Sequence, residues 1–237
     1  MKRFWTEATV APVDGGLAIV LDGKPMRIPG GAPLLLTNLA LAAAIAAEWG
    51  SAGGGLGGAM TMDDVPLTRL AGTAQDRVAP DPAPVVDALA RYGETDLLCY
   101  RAERPPELAL RQARAWQPWL DWAERTHGAR LRLAAGIVHV AQDPAALAAL
   151  RRAVAAQAPA VLAALGVAVP LLGSLVLGLA LADGALDAGM ADTLAHVDEA
   201  FQAEGWGEDS LAAARRVGIT ADLALAERFI RLSRGLA

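Results

Sequence analysis

A chain of 237 residues with 54% hydrophobic content is long enough to bury about 70–75% of its unfolded surface, so it needs no disulfide or metal to fold. Its formal charge of −5, with lysine and arginine scattered rather than clustered, argues against a phosphate-binding surface and sets nucleic acid aside as a partner. A single cysteine, Cys99, rules out an internal disulfide.

Only Lys2 and Arg3 precede Phe4 and Trp5, and polar residues follow. Neither a signal-peptide core nor an Arg-rich transit segment is read there, and a cytoplasmic location is expected. From residue 4 to 36 short apolar runs such as Leu17-Ala18-Ile19-Val20-Leu21 are separated by Asp14-Gly15-Gly16 and Asp22-Gly23. Asp-Gly between apolar runs is a hairpin signal, because glycine accepts the positive φ of the turn, and a small antiparallel sheet is expected. Thr37 or Asn38 should cap an alanine-rich helix that runs to about Trp49 and stops at Gly50. The glycine-rich residues 51–59 read as a mobile linker. A β-rich domain with one helix is therefore placed at 1–60, and a larger, mainly α-helical domain at 61–237. The fold class is α+β.

Helical patterns follow at 67–78, 83–92, 106–126, 145–165, 171–182, 188–204 and 220–234. Two interruptions, 96–100 and 130–140, look strand-like and could pair with each other or extend the N-terminal sheet. Within the first, Leu97, Leu98 and Tyr100 flank Cys99 as a buried strand would, and its thiol reads as an inert core group. Residues 153–182 carry no charge, but Pro159 and Pro170 divide them. The uninterrupted part, 171–182, is shorter than the roughly 20 residues a membrane span requires. A buried core helix without membrane insertion is expected, with Gly173 and Gly178 as positions of close helix approach.

The catalytic inventory is thin. The sequence has no phosphate loop, no dinucleotide fingerprint after a strand, no paired-histidine metal helix and no nucleophile elbow. His127, His139 and His196 lie far apart, which argues against a shared metal site, and no cofactor is expected. Trp116, Trp119 and Trp122, spaced by three on one helix, could form an aromatic strip, but helix core is the preferred reading for at least two of them. Near the C-terminus Met190, Leu194, Val197 and Phe201 form an apolar stripe, so Asp192, Glu199 and Gln202 should face outward. Gly205-Trp206-Gly207-Glu208-Asp209 comes next, before Arg215 and Arg216. These carboxylates could serve as general acid and base of a small-molecule enzyme, although nothing beside them supplies a nucleophile or a substrate clamp.

The order and spacing of several segments resemble the assembly chaperone family that binds the α subunit of the catalytic head of F-type ATP synthase, known from mitochondria and alphaproteobacteria. These segments are Lys2-Arg3-Phe4-Trp5, Leu21-Asp22-Gly23-Lys24, Ala46-Ala47-Glu48-Trp49, Pro66-Leu67-Thr68-Arg69-Leu70 and Thr95-Asp96-Leu97-Leu98-Cys99-Tyr100-Arg101-Ala102. Further along come Arg111-Gln112, Trp116 with Pro118, Gly173-Ser174-Leu175-Val176-Leu177, Asp198-Glu199 and Trp206-Gly207-Glu208-Asp209. The chain departs from the family at Gly50-Ser51-Ala52, where a polar stretch is usual, at Gln117 in place of an aspartate, and at Leu211 in place of a glutamate.

The resemblance implies a protein without turnover or cofactor, monomeric when free. It implies binding of the unassembled α subunit, shielding of the surface that will face β, and prevention of aggregation during assembly. It also implies a bacterial cytoplasmic setting, with the mitochondrial matrix for eukaryotic relatives. The expected contact residues are Trp206, Glu208 and Asp209, with Glu199 and Gln202 beside them and Trp49 as a further candidate.

Overall fold

Both Asp-Gly signals fold into hairpins. In the computed structural model, which describes residues 1–28, 31–136, 138–207 and 210–236, β1 (Ala8–Val13) and β2 (Gly16–Leu21) pair antiparallel, with Val13 opposite Gly16 and Ala8 opposite Leu21. A second turn at Asp22-Gly23 returns β3 (Lys24–Pro25) along β2. The Asp22 carboxylate accepts the backbone N–H groups of Glu7 and Thr6, and these bonds hold it below the usual carboxylate range.

The helix α1 (Leu39–Ser51) starts where Asn38 accepts the Ala40 N–H at 2.8 Å. It runs past Gly50, contrary to the sequence expectation, because the chain leaves the helix only at Ala52. Trp5, Ile19 and Ile45 are fully buried with this sheet and helix. The helix α2 (Pro66–Thr73) has its first turn capped by the Glu48 carboxylate, which accepts the N–H groups of Leu67 at 2.7 Å and Thr68 at 3.2 Å.

The glycine-rich stretch is not a linker but a turn pinned to the N-terminal residues. Gly57 N–H donates to the Arg3 carbonyl, Arg3 N–H donates to Gly58, and Lys2 bridges Ala59. The Arg3 side chain is itself buried, and its guanidinium donates to the carbonyls of Trp5, Thr6, Gly50 and Ala52. The buried cation gathers the carbonyls at the start of the loop and in the N-terminal segment, while the Arg3 backbone pairs with the loop's far end.

The chain divides into two compact units. One comprises Met1–Pro82 with Ala158–Ala164 and Arg228–Ala237, and the other Ala83–Gln157 with Leu165–Glu227. The second is mainly helical, with α3 (Ala83–Ala90), α4 (Pro106–His127), α5 (Pro144–Ala155), α7 (Leu175–Ala182), α8 (Ala188–Ala195) and α9 (Val197–Trp206). Two helices, α6 (Pro159–Leu172) and α10 (Ser210–Ser233), contribute residues to both units.

Several expected boundaries move. The pattern at 145–165 breaks at Pro159, which opens α6 as an N-terminal proline can, and α6 continues through Pro170 to Leu172. The pattern at 188–204 divides at His196, whose backbone leaves the helical region (φ −110°, ψ 29°). Its imidazole Nδ1 lies 2.9 Å from the Asp192 carbonyl. The last helix starts at Ser210, ten residues before the expected 220. Residues 97–99 form a 3₁₀ turn rather than a strand, leaving β4 (Tyr100–Arg101) to pair in parallel with β5 (Ala134–Ala135). The strand-like segments thus meet each other, through Tyr100 at the end of the first, with Arg101 just beyond it, and Ala134–Ala135 in the second. Among the described residues no helix is long and apolar enough to cross a membrane.

The 3₁₀ turn exists because of Asp96. Its fully buried carboxylate accepts the N–H of Leu98 at 3.1 Å, the Ser174 hydroxyl at 2.8 Å and the N–H of Val176 at 3.0 Å. Burial pushes the Asp96 carboxyl up to about 6, against the pull of these donors. Burial, with help from Asp96, also pushes the Cys99 thiol up to about 12. The Asp96 contact holds the N-terminus of α7, all eight of whose residues are buried. Gly178 meets a neighbour there: a Cβ built on it would lie 2.4 Å from Val169 Cγ2. At Gly173 the constraint is different, since its φ of +60° turns the chain out of α6 and a Cβ would find only Leu97 at 3.9 Å.

Two outcomes are expected. Asp96→Asn turns an amide N–H₂ toward a backbone donor and should cost about 1–3 kcal/mol in urea denaturation at pH 7. With the folded carboxyl raised, the native state holds a proton that the unfolded chain has released between about pH 4 and 6, so this group's stabilisation is complete below pH 4 and lost as pH rises through 6. The advantage of the wild type over Asp96→Asn should therefore widen as pH falls from 7 to 4. Gly178→Ala should overpack against Val169 and lower stability by about 1–3 kcal/mol in the same assay.

Candidate functional site

The expected contact residues converge on α9. Glu199, Gln202 and Trp206 follow one another at spacings of three and four, which places them on one helical face, and all three are exposed. Trp206 stands at the helix end with 86% of its surface open to solvent, an uncommon state for so large an apolar group. Behind this face Val197 is buried and Phe201 half-buried. Glu208 and Asp209 lie outside the described residues.

Three expectations need correction. Trp49 is 5% exposed, and its indole N–H donates to the Thr68 hydroxyl at 2.9 Å, so it packs the core and has little surface to offer a partner. Met190 is 51% exposed rather than part of a buried stripe, and Asp192 is buried rather than outward. Both follow from the break at His196, which invalidates a single helical wheel drawn over 188–204. Asp192 instead faces His196 Nδ1 at 3.0 Å, Thr220 Oγ1 at 3.1 Å and Arg216 Nε at 3.4 Å, tying α8 to α10.

What fixes α9 comes from α4. The Arg111 guanidinium makes two parallel bonds to the Glu204 carboxylate, at 2.6 and 2.7 Å, and lies over the Phe201 ring at 5.2 Å. The same bonds hold the Glu204 carboxyl below its ordinary range and the Arg111 guanidinium above its own. Next to it, buried Gln112 donates to Asp198 at 2.7 Å. The sequence reading assigned no role to these partners, yet a signal was present. Leu108, Gln112, Trp116, Leu120 and Ala123 form the buried stripe of α4, and a glutamine inside an apolar stripe needs a polar partner. Of the three tryptophans of α4 only Trp116 is fully buried, its indole N–H donating to the Leu194 carbonyl at 2.8 Å. Trp119 and Trp122 are half-buried and meet edge to face, so core placement holds for one of the three.

The three histidines stay apart. His127 lies 3.7 Å from Asp183, His139 3.3 Å from the Tyr100 hydroxyl, and His196 beside Asp192. Among the described residues no three His, Cys, Asp or Glu side chains gather into a cation site. The arrangement on α9 is a presented surface: an apolar aromatic next to acid and amide groups.

If the indole of Trp206 is presented rather than packed, Trp206→Ala should change folding stability by less than about 0.5 kcal/mol, the range of surface substitutions. Chemical denaturation followed by circular dichroism checks this. A loss of several kcal/mol would show that the indole packs.

The family model described as ATP12 chaperone protein matches residues 2–124. The crystal structure of Atp12 from Paracoccus denitrificans is similar at 43% identity and a TM-score of 0.92, with 98% of each chain covered. An aspartate-to-lysine mutant of the same Paracoccus protein matches at 42% identity with the same TM-score and coverage. A protein of Agrobacterium tumefaciens matches at 39% identity and a TM-score of 0.89, covering 100% of this chain and 86% of that one. The chain therefore belongs to the ATP12 chaperone family of ATP synthase assembly factors.

Proposed function

We propose that this chaperone holds the unassembled α subunit of the ATP synthase catalytic head, covers the surface that will face β and keeps it from aggregating until β takes its place. The observation that carries this reading is the 86% exposure of Trp206 on the same helical face as Glu199 and Gln202. Tryptophan is among the residues that most often anchor protein interfaces, and flanking carboxylates steer encounter and select partners by charge. Glu208 and Asp209 follow Trp206 in sequence after Gly207 and add two carboxylates to the stretch. Trp49 is left out because it is buried.

The family is generally non-enzymatic, and the proposed action needs neither turnover nor cofactor. An isolated α subunit exposes an apolar patch of the kind that drives aggregation, and a monomeric chaperone can shield it one to one. Shielding must end when β arrives, which fits an interface of modest size better than a large obligate one.

The test is co-purification of tagged chaperone with unassembled α subunit, together with light scattering of α as it is warmed. Trp206→Ala combined with Glu199→Lys should keep the cooperative melt yet weaken retention of α at least about tenfold, a loss of about 1.4 kcal/mol, and abolish protection. Glu208→Lys with Asp209→Lys should do the same through like-charge repulsion. Full retention by both variants would place the α-binding surface elsewhere on the chaperone.

A further inference from the structure

We propose that Gln112 is a positioning residue for the partner-binding surface: its buried amide locks α9 to α4 and thereby sets the direction in which Glu199, Gln202 and Trp206 are presented. The proposal rests on the reading of α9 as the contact surface. Of the ten residues of α9, Val197 alone is fully buried. Apolar packing on that scale gives a helix adhesion but little orientation, because the hydrophobic effect is non-directional. Direction has to come from hydrogen bonds.

Gln112 supplies them from the most protected place available. It is 1% exposed, its Oε1 accepts the Ala102 N–H at 2.6 Å, and its Nε2 donates to Asp198 Oδ1 at 2.7 Å. Only one orientation of the amide satisfies both neighbours, since the first is a donor and the second an acceptor. The backbone carbonyl of Gln112 in turn accepts Arg101 Nη1 at 2.6 Å, and the Arg101 guanidinium lies over the Trp116 ring at 5.2 Å.

One turn further along α4, Trp116 holds the Leu194 carbonyl. The pairs 112 and 116 on one side, and 194 and 198 on the other, are each four residues apart. Helix α4 therefore grips the corner between α8 and α9 on both sides of the break at His196. The remaining link, Arg111 to Glu204, is solvent-exposed at both ends and is weakened by salt and side-chain entropy. The Gln112 amide has no competing solvent. Any shift or roll of α9 leaves the buried Gln112 amide without its acceptor, so the contact defines one arrangement.

The full-length chain tests this through paired exchanges. Gln112→Glu keeps an acceptor for Ala102 but sets a carboxylate against Asp198. Asp198→Asn alone still offers the glutamine an amide oxygen, and Gln112→Glu with Asp198→Asn rebuilds the bond with donor and acceptor exchanged. The readouts are amide hydrogen exchange across residues 197–206 and the affinity of purified α subunit for immobilised chaperone.

Gln112→Glu should speed exchange in α9 and weaken α binding by about tenfold, Asp198→Asn should stay within about twofold of wild type, and the double variant should return both readouts to within about threefold. Wild-type exchange and affinity in Gln112→Glu, or a loss that the double variant does not recover, would overturn the proposal. If Gln112→Glu loses its cooperative melt, Gln112→Met takes its place. Its apolar side chain should leave the fold intact while freeing α9, and unchanged exchange in that variant is the overturning result. Failure of the wild type itself to bind α would sink the functional reading, while recovery of α9 exchange in the double variant would still establish that Gln112 positions the helix.

Discussion

A carboxylate removed from water, Asp96, organises the second unit. The helix α7 is buried along its whole length and carries no polar side chain of its own, so its faces contain nothing that distinguishes one axial position from another. Its position has to be fixed at an end. Asp96 does this by taking the Ser174 hydroxyl and the Val176 N–H, while Leu97 N–H donates to the carbonyl of Gly173. Because the same carboxylate also accepts Leu98 N–H, the turn before β4 is fixed in register with the helix. Everything downstream inherits that register: Arg101 at the end of β4 reaches over Trp116 and onto the Gln112 carbonyl. The acceptor capacity spent on α7 is thus connected, through one turn, one strand and α4, to the helix that presents Trp206.

The first unit solves a similar problem with a charge of opposite sign. Arg3 is buried with its guanidinium turned toward four backbone carbonyls, and an unpaired cation in that position would cost several kcal/mol. The carbonyls that satisfy it belong to the residues after Arg3 and to the end of α1, so the N-terminal residues and the helix end are drawn together by one side chain. The neighbouring Trp5 indole donates to the Trp49 carbonyl at 2.9 Å, and the Trp49 indole reaches Thr68. Glu48 meanwhile caps α2. Polar groups at the edges of this small core, more than its apolar interior, specify how sheet and helices meet.

How much of this was legible in the sequence depends on whether the cause was local. Hairpins were legible, because Asp-Gly states its backbone requirement at the turn itself. The core character of α7 was legible from its unbroken apolar run. The break at His196 was not, since no glycine or proline marks it and the residues packed around it come from α4 and α10, both distant in sequence. Gly50 misled because a glycine near a helix end can sit inside the last turn as easily as after it. The glycine loop misled for a related reason: composition reports flexibility of the free chain, whereas its hydrogen bonds to Arg3 are made only once the chain has folded. Within the candidate site, the exposed face of α9 followed from helical spacing, but the clasp from α4 did not, because a contact between residues 112 and 198 leaves no periodic trace. Only the misplaced polarity of Gln112 in its stripe hinted at it.

The energetics of a surface built this way bear on the proposed exchange of α from chaperone to β. An indole such as that of Trp206 can bury about 150–250 Å², worth about 4–6 kcal/mol at 25 cal/mol per Å². The loss of translational and rotational freedom on association is at least as large. One aromatic anchor therefore cannot by itself make a permanent complex, and the charged groups beside it act more on encounter and selectivity than on residence. Such a surface gains most from being held in one orientation beforehand, since each side chain and helix that need not be ordered on binding leaves more of the small gross energy as affinity. A polar clasp suits that need. It contributes direction without enlarging the apolar area in contact with α, so affinity can rise through preorganisation while the surface that β must displace stays small.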